Sequence, residues 1–258
     1  MIVVTGMHRS GTSLACQLLH ALGLPFEQSR DLYATDRWNE AGYYELKSVM
    51  DANSRIITGL PRNRSRWLAV LSKVVYVTMP GNARIEARAR KVRPAIAALA
   101  GQYHDRALKD PRFCLTLRFW DQCAPIERVV VCLREPTAVV ASLSRRNRLP
   151  AHLGFRFWQY HMQALLQQLP LDRAVFVDMD RLAIERDAHE LEPVRRFLRL
   201  DAGPAGAVVL QDVLRADSYA RSTAAGRCPA SVQVLWERLR ALADQRRSFI
   251  MDPVQRVR

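Results

Sequence analysis

Four short apolar runs divide the chain, and helical patterns lie between them. The runs show almost no alternation of apolar and polar residues, which is typical of strands covered on both faces. We predict strands at Ile2–Thr5, Ala107–Lys109, Arg128–Leu133 and Ala174–Asp178. Apolar residues at helical spacing predict helices at 13–22, around 84–101, 136–146, 151–169 and 188–199, and at 230–246. Strands that alternate with helices predict an α/β fold with a central, mostly parallel sheet flanked by helices.

No feature divides the chain into domains. The proline and glycine residues at 80–81, 150 and 201–204 do not suggest a boundary, and the sequence contains no internal repeat or low-complexity segment. We therefore predict a single domain over residues 1–258. In the last predicted helix, apolar residues that include Trp236 form one stripe, which indicates an amphipathic helix packed on that domain.

The charge of the chain favours anionic ligands. Its 39 Lys and Arg residues exceed the 25 Asp and Glu residues, which gives a net charge of +14. The arginines are spread over the whole length, and the nearest approach to a cluster, Arg62, Arg64 and Arg66, is short and interrupted. A dedicated nucleic-acid-binding protein usually concentrates its charge. We therefore expect a solvated basic surface and no nucleic-acid partner.

The cysteines and the N-terminus predict a cytoplasmic protein. The five cysteines are odd in number, form no CxxC pair and lie mostly among apolar residues, so we expect reduced thiols. The first apolar run reaches a motif at Gly6, which leaves no room for a signal peptide. No apolar stretch approaches the ~20 residues needed to span a bilayer, so we expect no membrane span.

Residues 6–13, GMHRSGTS, follow a predicted strand and open a predicted helix. Backbone N–H groups at a helix N-terminus attract an anion, and glycines allow close approach, so this segment predicts an anion site. It differs from the GxxxxGK[ST] loop of nucleoside triphosphatases, because Thr12 occupies the lysine position and the cation, Arg9, lies inside the loop. Without that lysine the loop fits a single 5′-phosphate or phosphosulfate, and Ser13 alone does not argue for magnesium.

A second candidate anion site follows the third predicted strand. Arg134 ends this strand, Glu135 and Pro136 open the next helix, and Ser142 stands eight residues after Arg134. An arginine can hold a phosphate with two hydrogen bonds, and this spacing places a helix hydroxyl beside it. The alternative is that Arg134 pairs with a carboxylate while Ser142 faces solvent.

Both segments resemble the sulfotransferase family, and the resemblance covers most of residues 2 to about 200. Its members carry [KR]-S-G-T-[ST] as a 5′-phosphosulfate loop and R-[DEN]-P-x5-S as a 3′-phosphate site. The resemblance implies a P-loop-like sulfotransferase fold, the donor 3′-phosphoadenosine-5′-phosphosulfate (PAPS), the product 3′-phosphoadenosine-5′-phosphate (PAP) and no metal. It assigns the following residues to donor binding: Arg9, Ser10, Gly11, Thr12, Ser13, Arg134 and Ser142.

The resemblance also suggests a general base. Residues 38–45, WNEAGYYE, resemble the N-x-x-G-[YF]-[YWF]-E element of bacterial and Golgi-type sulfotransferases, in which an acidic residue enters the acceptor pocket. Glu45 is the leading candidate, and Glu40 and Asp36 are the close alternatives. His8, in the same turn as Arg9, could equally be a surface residue and is assigned no role, and it would be considered only if a Glu45→Gln variant stayed active. The other interpretation of Glu45 is an ordinary carboxylate at a helix N-terminus, where the helix dipole favours it.

Two cations complete the predicted catalytic set. Lys109 begins the segment KDPR, which resembles the K-D-P element of tyrosylprotein sulfotransferases. Lys109 and Arg9 would stabilise the charge that develops during transfer, Asp110 would orient the turn, and Arg112 would face the acceptor. The alternative is a Lys–Asp ion pair at a strand end.

The adenine pocket is poorly marked, because the resemblance fades beyond residue 205. Residues 214–221 are the only segment comparable with the basic loop that closes over the nucleotide in the family. Arg215 and Arg221 are its candidate ligands.

Two other functions fit parts of the sequence. A small-molecule or nucleotide kinase would use Asp178, at a strand end, to bind magnesium, but the missing loop lysine argues against it. A non-catalytic nucleotide- or nucleic-acid-binding module would fit the charge but does not explain Arg134 and Ser142.

The acceptor stays open: a hydroxyl or amine on a small molecule, a glycan or a peptide all fit, since acceptor loops vary freely. The sequence does not determine the oligomeric state.

Overall fold

A computed structural model describes residues 1–35, 42–61, 65–200, 210–211, 213 and 227–252. Its sheet contains four parallel strands in the order β2-β1-β3-β4. The register pairs Ile2 with Ala107 on one side and with Arg128 on the other, and Val129 with Ala174. The strands are β1 (Ile2–Thr5), β2 (Ala107–Lys109), β3 (Arg128–Leu133) and β4 (Ala174–Asp178). All four match the sequence prediction, and the predicted α/β fold is confirmed.

Helices cover both faces of this sheet. Within the described residues they are α1 (Thr12–Ala21), α2 (Lys47–Thr58), α3 (Arg66–Val77), α4 (Asn82–Gln102), α5 (Phe113–Asp121), α6 (Pro136–Asn147), α7 (Ala151–Gln168), α8 (Met179–Ala183), α9 (Glu192–Leu198) and α10 (Ala230–Met251). The predicted helices correspond to α1, α4, α6, α7, α9 and α10, whereas α2, α3, α5 and α8 were not predicted. None of the helices in the described ranges is long and apolar enough to cross a membrane.

Each face of the sheet packs against its own core. Val3, Val129 and Val131 point into the larger core, which α2, α4, α5, α7 and α10 complete. Val4 and Val130 point into the other core, which includes residues of α1, α8 and α9. Because successive strand residues face opposite sides, strands covered on both faces are apolar throughout, as the sequence pattern indicated.

The cysteines are all free thiols. Cys16, Cys114 and Cys132 are fully buried, whereas Cys123 and Cys228 are half-buried. Burial raises the pKa of Cys114 and of Cys132 to about 12, so neither thiol ionises near neutral pH.

Candidate functional site

The loop between β1 and α1 requires its two glycines. Gly6 has a φ of 151°, and a Cβ atom there would lie 2.4 Å from the carbonyl oxygen of Cys132 and 2.7 Å from Ser10 Oγ. Gly11 has a φ of 84° and precedes α1, where none of the described side chains caps the helix. The first N–H groups of α1 therefore have no cap from these side chains, and the helix dipole there favours negative charge.

Arg9 joins the two predicted anion sites. Its Nε donates to Ser142 Oγ at 2.9 Å, and its carbonyl oxygen accepts from Arg134 Nη1 at 3.1 Å. Burial and, next, the charge of Arg146 lower the pKa of the Arg9 guanidinium, and Arg134 and Arg145 act in the same direction. Several guanidinium groups thus converge on one place, and an anion bound among them would relieve their repulsion.

Arg134 follows β3 and is almost completely buried. Its Nε lies 3.5 Å from Asp180 Oδ1, and Asp180 Oδ2 accepts from the N–H of Glu135 at 2.7 Å. Burial raises the pKa of Asp180, although the N–H of Glu135 and the charge of Arg134 oppose that shift. The carboxylate pairing considered from the sequence is therefore present. Ser142, in contrast, is buried and bonded to Arg9 rather than facing solvent.

Lys109 and Glu45 form a buried ion pair beside the loop. Lys109 Nζ donates to Glu45 Oε1 at 2.6 Å, to the carbonyl oxygen of Tyr43 at 2.9 Å and to Ser13 Oγ at 3.2 Å. The side chains of Lys109 and Glu45 are only 2% and 11% exposed. Lys109 thus lies at the carboxyl edge of the sheet, in contact with the first turn of α1, and Glu45 is held beside it by the ion pair.

Asp110 fixes the turn after β2. Its Oδ1 accepts from the N–H of Arg112 at 3.0 Å and from Arg112 Nη1 at 2.8 Å, and its Oδ2 accepts from Asn53 Nδ2 at 3.0 Å. Its carbonyl oxygen accepts from Thr5 Oγ1 at 3.1 Å, which ties β2 to the end of β1. These contacts hold the backbone on which Lys109 stands, and they bury Arg112 against Asp110.

No model of a protein family matches the sequence, and no curated protein matches it. Among solved structures, the sulfotransferase domain from the Synechococcus PCC 7002 olefin synthase is 17% identical, with a TM-score of 0.51. That match covers 93% of this chain and 94% of the other. The chain has the sulfotransferase fold. The sulfotransferase STF9 from Mycobacterium avium is also similar, at 14% identity and a TM-score of 0.49, over 95% of this chain and 76% of that one.

On this sulfotransferase fold, two residues that the sequence analysis did not single out join the site. Arg146 Nη2 donates to the hydroxyl of Tyr43 at 2.7 Å, and its guanidinium lies 5.5 Å from the centre of that ring. Arg146 follows Ser142 by one helical turn on α6, so both side chains lie on one face of the helix. Arg146 could have been identified from the sequence, because a cation four residues after Ser142 lies on the same face of the helix.

Asp178, the magnesium candidate of the kinase alternative, has a structural contact here. Its Oδ1 accepts from the N–H groups of Asp180 and Arg181 at 3.0 and 3.2 Å, so it caps the N-terminus of α8. Among the residues that the structure describes, no group of three or more His, Cys, Asp or Glu side chains is placed to hold a metal ion.

Several predicted residues lie outside the described part of the sulfotransferase fold. They are Asp36 and Glu40, the alternative bases; Arg62 and Arg64 of the short basic run; and Arg215 and Arg221, the candidate nucleotide ligands.

Proposed function

We propose that this chain is a sulfotransferase that moves a sulfuryl group from PAPS to a hydroxyl or amine acceptor and releases PAP. The observation that carries the proposal is the junction of the two predicted phosphate sites. Arg9 and Ser142 are far apart in the sequence, yet they share a hydrogen bond of 2.9 Å, and Arg134 donates to the backbone of the same loop. A donor with phosphate groups at both its 5′ and 3′ ends requires two such sites close together.

In this proposal, residues 9–13 and the N-terminus of α1 bind the 5′ end of the donor. The backbone N–H groups of the loop would hold the phosphosulfate, and Arg9 would balance its charge. Arg134 and Ser142 would bind the 3′-phosphate. Arg146 lies close enough to lower the pKa of Arg9, so it would add positive charge to the same site.

Lys109 is the proposed electrophilic group. Its ammonium group touches Ser13 in the first turn of α1, which places it beside the proposed phosphosulfate site. There it would stabilise the charge that develops on the bridging and sulfuryl oxygens as the bond to sulfur breaks. Glu45 holds this ammonium in place through the 2.6 Å contact, and it is also the base that the sequence predicts.

Isothermal titration calorimetry of the purified protein with PAP and, separately, with ATP and magnesium tests the donor without an acceptor. We expect micromolar affinity for PAP and negligible binding of ATP. Adenosine 5′-phosphate is the matched control ligand, since it lacks only the 3′-phosphate and should bind at least ~10-fold more weakly. A preference for ATP with magnesium would contradict the proposal and favour the kinase alternative.

A further inference from the structure

A cleft of about 260 Å³ lies between α4 and the end of α5, lined by residues between 86 and 96 and between 118 and 122. This α4–α5 cleft is remote from the proposed donor site. Helix α5 begins at Phe113, just after β2 ends, and it ends shortly before β3 begins. The cleft is therefore near the amino edge of the sheet, whereas Lys109 and the loop that contains Arg9 are at the carboxyl edge.

The floor of this cleft is apolar. Ala89 and Ile96 of α4 and Phe119 of α5 line it, and all three are buried in the larger core. The guanidinium group of Arg118 lies 4.7 Å from the centre of the Phe119 ring, so a cation lies against the aromatic part of the floor. A ligand in the cleft would therefore contact apolar carbon atoms and a positive charge at the same time.

Three arginines and one carboxylate also line the cleft. Arg90 Nη2 lies 3.4 Å from Glu86 Oε1, and Arg118 Nη2 lies 4.0 Å from Glu86 Oε2. In the part of the chain that the structure describes, the side chain of Arg93 has neither a hydrogen bond nor an ion pair, whereas its carbonyl oxygen accepts from Cys123 Sγ. One glutamate among three arginines leaves two positive charges in excess.

The contacts of Glu86 are weak enough for a ligand to replace. Its side chain is 49% exposed, and exposed ion pairs at such distances contribute little. An anion that enters the cleft would gain Arg93 without breaking an existing pair, and it would replace only the 4.0 Å contact of Arg118. Arg90 would keep its contact with Glu86.

This combination selects a ligand with both an anionic group and an apolar body. An inorganic anion would leave the apolar floor in contact with water, and a neutral apolar molecule would leave the excess charge unbalanced. The volume is slightly below the range of about 300–1,000 Å³ typical of small-molecule sites, so the ligand must be small. We propose that the α4–α5 cleft binds a small organic anion, a carboxylate, sulfate or phosphate carried on a compact aryl or alkyl group. None of the residues that line it belongs to the proposed donor or catalytic sites, so the proposal does not depend on the sulfotransferase function.

Isothermal titration calorimetry with 2-naphthalenesulfonate as the probe tests this site. We expect a dissociation constant below about 1 mM. Two ligands are the controls: 2-naphthalenesulfonamide keeps the ring but has no charge near neutral pH, and sodium sulfate has the charge but no ring. Each should bind at least ~10-fold more weakly. Absence of probe binding, or a control that binds as tightly as the probe, would overturn the proposal.

Variants locate the bound probe. Arg93→Gln and Arg118→Gln each remove one cation and should raise the dissociation constant at least ~5-fold. Both side chains are exposed, so these variants should fold, which the urea midpoint checks. The matched control is Arg84→Gln, which removes an exposed arginine of α4 that does not line the cleft, and it should change the affinity by less than about twofold. Equal losses in Arg84→Gln and Arg93→Gln would indicate a general attraction to a basic surface and would overturn the assignment.

Glu86→Gln should have the opposite effect. Because this carboxylate competes with the ligand for Arg118 and repels an anion, its removal should lower the dissociation constant of the probe about 2- to 5-fold. A purely structural role of Glu86 does not predict tighter binding. A higher dissociation constant in Glu86→Gln would contradict the charge argument.

Competition with PAP separates the cleft from the proposed donor site. Excess PAP should leave the affinity for the probe within about twofold, and so should Arg134→Ala. Displacement of the probe by PAP, or loss of probe binding in Arg134→Ala, would place the probe at the donor site and overturn the proposal. Failure of the protein to bind PAP would instead contradict the sulfotransferase function, and the measurements with the probe would still decide the fate of the cleft.

Discussion

Arg134 makes a backbone contact and lies beside a carboxylate at the same time. Its guanidinium group donates to the carbonyl oxygen of Arg9 and lies 3.5 Å from Asp180. The five donors of a guanidinium group allow several such contacts at once, which a lysine with its compact charge does not match. Residues of this kind are expected where a ligand site is built into the packing of the fold.

Arg134→Ala should weaken PAP binding by about 10- to 100-fold, because one or two charge-assisted hydrogen bonds to the 3′-phosphate are lost. Binding of adenosine 5′-phosphosulfate, which lacks that phosphate, should change by less than about threefold. Calorimetry of both ligands measures the difference, and Arg84→Ala, which removes an exposed arginine of α4, is the control. An equal loss for both ligands would contradict the assignment of Arg134.

The sequence suggested the residues of the two proposed phosphate sites but not how those residues meet. The spacing between Arg134 and Ser142 follows from one strand end and one helix, so a local pattern is sufficient to recognise it. The bond between Arg9 and Ser142, in contrast, depends on how the loop turns back on itself, with Arg9 at a φ of 71°. The hydrogen bonds of Tyr76, on α3, with His8 in this loop and with His161 on α7 join three separate elements, and no local spacing indicates them.

At the scale of elements, the strands were predictable, whereas helices α2, α3, α5 and α8 were not. Helix α8 has only five residues, too few to show a helical period. The strands have apolar runs of a length that buried parallel strands share. Helix α5 is buried on nearly all sides, so it shows no stripe, and α2 buries the polar residues Asn53, Ser54 and Thr58. Helix α3 exposes Trp67 and Val70 while burying Ser72, which reverses the usual pattern. The helical period of a sequence reflects which side of a helix is buried. It therefore does not identify a helix that is buried on all sides or one that buries polar residues.

The loop between β1 and α1 depends on Gly6, so Gly6→Ala should lower the free energy of unfolding by about 1–3 kcal/mol. The new methyl group would lie 2.4 Å from a carbonyl oxygen of β3, and the loop would have to move. PAP affinity should fall as well. Gly101→Ala is the matched control: it lies within α4 with no atom within 4 Å of the new Cβ, and it should raise stability by about 0.5–1 kcal/mol.

Urea unfolding at equilibrium measures both variants. A Gly6→Ala protein with the midpoint and PAP affinity of the wild type would contradict this account of the loop. Such a result would mean that the loop accommodates the new methyl group and still binds PAP.

At the scale of the whole molecule, positive charge is concentrated where the carboxyl ends of β1, β2 and β3 meet. Lys109 is the last residue of β2, Arg134 follows β3, and Arg9 lies in the loop after β1. The net charge of +14 adds a long-range attraction for anions to this local one. Binding of a nucleotide anion should therefore stabilise the entire fold.

PAP at about 100 times its dissociation constant should raise the melting temperature by about 5–10 °C, since binding to the folded state alone contributes about 2.7 kcal/mol. Differential scanning calorimetry measures the shift, with sodium chloride at equal ionic strength as the control. The shift should be unchanged in EDTA. A shift that appears only with magnesium would return Asp178 and the kinase alternative to consideration.

The central position of β1 has a consequence for biosynthesis. Its two partners begin at Ala107 and Arg128, so more than a hundred further residues must leave the ribosome before either neighbour exists. At 5–20 residues per second, both edges of β1 stay unpaired for roughly 5–25 s after the strand is made. An unpaired strand edge is prone to aggregation, so this is the period in which chaperones would protect the chain most. The loop between β1 and α1 is thus translated long before β3, which lies against Gly6, so the proposed nucleotide site cannot form until that strand has been made.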